Sequence, residues 1–172
     1  MAEFDYFSVC KTCNIFCCKI FHAFVATNEI ERIIKKIKEL DLDFLKEKCD
    51  FFDFKEIKYK DQFLPSRLLK KLKDKNCIFL NDEKKCLIHE VKPLDCRIWP
   101  ITFDYKPEEN KLIIYLGSCP LTSFLPESWI ESTSNQMISE LQKFEKDQLI
   151  SYSISLSSID DIKIIKEIPN FK

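Results

Sequence analysis

Apolar positions recur along the chain with two different periods, and the changes of period mark the elements. In TNEIERIIKKIKELDLDFLKEK (27–48), Ile30, Ile33, Ile34, Ile37 and Leu40 fall three and four apart, the spacing that lines one face of a helix. Lysines occupy the opposite face, which marks a solvated amphipathic helix rather than a membrane or nucleic-acid surface. Asn28, with Glu31 three residues on, offers a capping box at its start. FFDFKEIKY (51–59) is ambiguous and compatible with a strand. PSRLLKKLKDK (65–75) predicts a short helix with Pro65 in its first turn. CIFL and CLIH (77–80 and 86–89) predict two short strands around the polar turn NDEKK. LDCRIW predicts one helical turn between Pro93 and Pro100. ITFDY, KPEEN and KLIIYL (101–116) repeat the strand–turn–strand pattern. PESWIESTSNQMISELQKFEKDQLI (126–150) predicts one long helix, with Pro126 near its start and Trp129, Ile130, Met137, Ile138 and Leu141 on its buried face. The tail SSIDDIKIIKEI (157–168) predicts another short helix. Helices flanking small antiparallel strand pairs indicate an α+β domain.

Composition narrows the class. The 172 residues are 45% apolar and include 15 Phe, enough for one compact domain over 1–172 whose core does not depend on disulfides. With 27 basic and 28 acidic residues the net charge is −1, whereas a nucleic-acid binder carries a basic excess. Gly117 is the single glycine, so a P-loop or a dinucleotide-binding turn is excluded. The start, MAEFDYFSVC, has two acids and no basic region, and Lys11, Lys19 and His22 interrupt the apolar residues that follow. No targeting segment or membrane helix is predicted, and a cytoplasmic location is expected. There, clustered cysteines are more often ligands or redox groups than disulfides.

The nine cysteines are the chemistry that stands out. CKTCNIFCC holds Cys10, Cys13, Cys17 and Cys18. Cys10 and Cys13 form a CxxC, a spacing at which two thiolates grip one metal. On a helix Cys10, Cys13 and Cys17 fall within about a 60° sector, and Cys18 projects to the side. Cys77, Cys86, Cys96 and Cys119 lie at strand ends or turns of the second half, and His89 is a further ligand candidate. Cys49, alone between Lys48 and Asp50, reads as an ordinary structural or surface thiol. A lone cysteine usually behaves as a small buried hydrophobe. That fits Cys49 and also Cys119, but not four thiols in nine residues. A thioredoxin-type CxxC needs a preceding strand, and none is predicted before Cys10. Metal or cluster binding is the expectation.

These residues resemble a known family. CKTCNIFCC followed by CIFLNDEKKCLIHEVKPLDCRIWP is similar to the CxxCxxCC, or YkgJ-like, cysteine-cluster family of zinc- or iron-chelating proteins. The later signature is carried by Cys77, Cys86, Pro93, Cys96, Arg97, Trp99 and Pro100. TNEIERI stands where such proteins begin their first long helix, and GSCP, with Cys119, resembles a further cysteine of many relatives. The resemblance covers roughly residues 8 to 120, leaving 121–172 as a C-terminal helical extension. It departs from the family spacing by one residue, with Asn14, Ile15 and Phe16 between the second and third cysteines. The resemblance implies metal chelation. Larger relatives, flagellin lysine methylases, carry the same cluster with an iron–sulfur centre, though here the single glycine offers no S-adenosylmethionine loop.

Thiolates suit both zinc and iron–sulfur clusters. Structural zinc usually takes two tight CxxC pairs, and this chain has one. A [4Fe–4S] cluster tolerates dispersed cysteines. Phe7, Ile15, Phe16, Phe79, Ile98 and Trp99 would give it an apolar shell. The expectation is therefore an iron–sulfur protein, with zinc as the alternative, built as a small α+β domain with helices packed around short antiparallel strand pairs and a cysteine-ligated metal site. The ligand pool is Cys10, Cys13, Cys17, Cys18, Cys77, Cys86, Cys96 and Cys119. Arg97 has two readings, a contact to the cofactor or to an anionic substrate, and a structural contact to a carboxylate or carbonyl. Trp99 reads as core packing, and His22 as structural. A zinc adaptor and a redox or protein-modifying enzyme are the other function classes. No His/Asp/Glu constellation names a reaction, and no nucleic acid, membrane or protein partner is indicated.

Overall fold

The computed structural model describes residues 17–40, 50–155 and 162–172. Cys10, Cys13 and Cys49 lie outside these residues, as does the second half of the helix predicted over 27–48. The described chain opens with one helical turn, α1 (Cys17–Ile20). A 3-10 turn, Thr27–Glu29, then leads into α2 (Ile30–Glu39), which buries Ile33 and Ile37 as its periodicity predicts. The capping differs from the expected Asn28–Glu31 box. The buried Glu29 carboxylate accepts the Ala26 amide at 3.0 Å, so the start is fixed earlier, by a side chain that also has partners elsewhere in the fold.

β1 (Phe52–Tyr59) and β2 (Gln62–Leu69) form an antiparallel hairpin, in register from Phe52 opposite Leu69 to Tyr59 opposite Gln62. The helix expected from Pro65 onward is therefore a strand over Pro65–Leu69. Leu64, Ser66 and Leu68 are buried, while Phe63 and Pro65 are exposed, which is the two-residue period of a half-buried strand. Pro65 loses no ladder bond. The Leu69 amide and Arg67 carbonyl point outward to Ala23 and Val25, so the nitrogen of Pro65, an even number of residues away, faces that same outer side.

Beyond β2 come two tight turns nine residues apart. Leu72 N donates to Asn76 O and Asn81 N to Lys85 O. Lys75 and Lys84 take the left-handed conformation, with φ of 68° and 60°. Instead of the predicted CIFL and CLIH strands there are single bridges, Lys71 to Cys77 and Leu80 to Cys86. The predicted helical turn before Pro100 is α3 (Leu94–Ile98).

β3 (Ile101–Lys106) and β4 (Lys111–Gly117) form the second predicted hairpin. Of the tail predicted as a helix over 157–168, residues 162–168 are a strand, and 157–161 lie outside the described residues. β5 (Ile162–Ile168) joins the sheet antiparallel to β4, giving the order β3-β4-β5. Its four isoleucines suit a pleated edge strand, and its exposed lysines and glutamate guard that edge. The single helix predicted over 126–150 is two helices, α4 (Glu127–Leu141) and α5 (Lys146–Ser155). The break lets Phe144 turn into the core, Lys172 Nζ donates to the Gln142 and Phe144 carbonyls there, and the Gln148 side chain accepts the Glu145 amide at 3.1 Å. The architecture is α+β, as the sequence predicts.

Two hydrophobic clusters lie under these elements. The larger joins the sheet residues Phe103, Tyr105, Leu112 and Ile114 to Met137, Leu141, Leu149 and Tyr152 of α4 and α5. The smaller contains Val25, Ile33, Ile37, Phe52, Leu69, Ile78, Phe79 and Ile88, and Cys77, Cys86 and Cys96 pack against it. Residues 23–26 run between the clusters, with Phe24 and Ala26 in the larger and Val25 in the smaller. No described helix is long and apolar enough to cross a membrane.

Candidate metal centre

The two halves of the cysteine pattern meet at one backbone oxygen. The Cys18 carbonyl accepts the Cys77 amide at 2.9 Å and Lys71 Nζ at 2.6 Å. The segment after Cys18 is stitched onto β2 by the Phe24–Leu68 bridge. Thiols nearly sixty residues apart in sequence are thus placed together by main-chain bonds.

Cys77 and Cys86 each follow one of the two turns and open a further one, their carbonyls accepting the Leu80 and His89 amides. In both, the amide two residues on donates to the sulfur, Phe79 to Cys77 and Ile88 to Cys86. Such a bond favours the thiolate, which is the form that binds metal. The intervening side chains Ile78, Phe79 and Ile88 are fully buried and anchor the turns in the smaller core.

Cys96 comes from α3, whose position is set by two carboxylates. Glu29 accepts the Leu94 amide at 2.7 Å and Arg32 Nη2 at 2.7 Å. Asp95 accepts the Phe24 amide at 2.9 Å and the Tyr152 hydroxyl at 2.7 Å. Arg32 also donates to the Val91 and Lys92 carbonyls. The turn that presents Cys96 is therefore tied to the segment that presents Cys17 and Cys18.

Cys18, Cys77 and Cys86 all oppose ionisation of Cys96, Cys18 and Cys86 oppose that of Cys77, and Cys18 opposes that of Cys86. Burial pushes the Cys77 thiol up to about 11 and raises Cys18, Cys86 and, most strongly, Cys96. Lys71 and Lys92 pull in the opposite direction. Burial lowers Lys71 itself, against the upward pull of Cys77, Cys18, Cys96 and Cys17. Among the described residues no three His, Cys, Asp or Glu side chains are gathered tightly enough to hold one metal ion. Cys18, Cys77, Cys86 and Cys96 are free thiols, a donor set that suits soft metals and iron–sulfur clusters.

The other predicted site residues have distinct settings. Arg97 projects from α3 into a bidentate pair with Glu140, at 2.8 and 2.6 Å, with Glu29 at 3.7 Å. Its Nε and the Trp99 Nε1 are buried without a hydrogen-bond partner among the described residues. The Trp99 ring lies 5.0 Å from that of Phe21 and packs over Gly117. Cys119 follows β4, its carbonyl accepting the Thr122 amide. His89 and His22 are exposed. Sequence reasoning missed Lys71, Lys92, Glu29 and Asp95. Lys71 is one lysine in a basic run, and nothing local distinguishes it. The paired turns do leave a signal, Lys75-Asn76-Cys77 and Lys84-Lys85-Cys86 at the same spacing.

A family model, CxxCxxCC, "Putative zinc- or iron-chelating domain", matches residues 9–120. No curated protein and no solved structure matches the chain.

Proposed function

Because the chain belongs to the CxxCxxCC family, we propose that it is a metal protein whose centre is an iron–sulfur cluster held by cysteine thiolates. Cys18, Cys77, Cys86 and Cys96 are the central ligand candidates, and Cys10, Cys13, Cys17 and Cys119 complete the pool. The single observation that carries this reading is that Cys96 lies within charge range of Cys18, Cys77 and Cys86, all four thiols being partly shielded from solvent. A cluster bound there supplies one-electron chemistry at a potential set by burial and by hydrogen bonds to sulfur. The residues present the donors singly, from four separate backbone sites over an apolar floor of Ile78, Phe79 and Ile88. That dispersion favours a cluster over a single zinc, which usually draws on paired CxxC donors. The proposal places the protein in a reducing compartment, where these thiols stay available.

Structural zinc is the second reading. The amide-to-sulfur turns at Cys77 and Cys86 favour any bound thiolate, zinc-bound ones included. Purification without oxygen, followed by iron, sulfide and zinc analysis and a visible spectrum, separates the two. Iron with sulfide and broad absorption near roughly 400 nm is expected. Stoichiometric zinc in a colourless protein would overturn the cluster.

A further inference from the structure

Resting on the thiolate-centre reading above, we infer that Lys71 is the positioning residue and principal charge partner of that centre. Three observations converge. The Lys71 ammonium bonds the same Cys18 oxygen that accepts the Cys77 amide, so it braces the junction between the two cysteine segments. Lys71 and Cys77 face each other across an antiparallel bridge, which places their side chains on the same face. The thiols of Cys77, Cys18, Cys96 and Cys17 lie within charge range of the Lys71 ammonium.

Among the described residues no carboxylate lies within ion-pair distance of Lys71, whereas Lys70, its neighbour in the run, pairs with Asp50 at 3.2 Å. A partly buried ammonium without a counter-ion is unfavourable, and so are four partly buried thiolates without compensation. Each deficit answers the other. Four thiolates around a dipositive core leave a dianion, and the Lys71 ammonium offsets part of that charge. Arg97 does not serve this purpose, because its fork is held by Glu140.

The test is an anaerobic titration of the metal-stripped full chain with Co(II), read by thiolate-to-cobalt charge-transfer absorption and by chelator competition. K71M is expected to weaken Co(II) binding by about 10–100-fold, the usual loss when a partner of the ligands is removed. It is also expected to move the charge-transfer band to longer wavelength, because a cation beside sulfur holds its electrons more tightly. K71R should restore most of both, and K70M should match the wild type. K71Q keeps a hydrogen-bond donor without the charge, so it should shift the band as K71M does, which guards against a K71M chain that fails to fold. A wild-type band position in both K71M and K71Q, or equal losses in K70M and K71M, would overturn the inference alone. A wild-type protein that forms no thiolate–cobalt band would overturn the metal reading and this inference with it.

Discussion

At the scale of single residues, the cysteines that share one setting differ from those that do not. Replacing Cys77, Cys86 or Cys96 by serine should lower metal affinity by at least about tenfold, while Cys49→Ser should leave it unchanged. Chelator competition on each variant checks both statements. The thiols also predict a pH dependence. Burial raises Cys77 to about 11 and lifts Cys18, Cys86 and Cys96 above the ordinary thiol value, so the metal-free protein holds them protonated at neutral pH. Binding must expel those protons, and affinity should therefore rise with pH, by at least about tenfold from pH 7 to pH 8. Equilibrium titrations at the two pH values would show it, and a flat profile would mean that these thiols are not the ligands. Gly117 tests the packing. A Cβ there would sit 3.1 Å from Trp99 Cη2 and 3.3 Å from the Pro100 oxygen, so Gly117→Ala should cost about 1–3 kcal/mol in urea unfolding. Four thiols in nine residues advertise their chemistry in the sequence. Lys71 does not, because its role depends on a bridge partner and on a carbonyl fifty-three residues away.

At the scale of elements, the misread segments share a physical cause. The segment predicted as a helix over 65–75 and the tail residues 162–168 mix leucine or isoleucine with lysine in short runs, where helical and strand periods both fit. What decides between them is a partner the local sequence does not contain, β1 for the first and β4 for the second. The helix of 126–150 is broken by the burial of Phe144, also a tertiary effect. Elements with long, regular patterns, α2 and the β3–β4 hairpin, are legible from sequence alone. The element that matters most for the site is α3, whose Leu94 amide is held by a buried carboxylate from another helix. Glu29→Ala leaves two buried amides without their acceptor and Arg32 without its ion-pair partner. It should cost about 3–5 kcal/mol and weaken metal binding through Cys96, with a smaller loss in Glu29→Gln. Denaturant unfolding and chelator competition on the same samples check the pair of effects.

At the scale of the molecule, the candidate centre rests on the smaller of two cores, while the sheet and its two long helices share the larger. Metal binding adds its free energy to the structure that forms the site, so removal of the metal should loosen the two regions unequally. Hydrogen exchange should speed up at 17–26 and 70–99 and change little in β3, β4 and α4. Two-core packing is not legible in the sequence, because apolar residues of both clusters alternate along 23–26. The meeting of two distant cysteine segments is legible only through the family pattern. The central claim is that sulfur alone surrounds the metal, and X-ray absorption at the metal edge of the anaerobically purified protein tests it most directly. The expected result is an iron edge with a first shell of sulfur at about 2.3 Å, the usual metal–thiolate length. A first shell of oxygen or nitrogen near about 2.0–2.1 Å would contradict it.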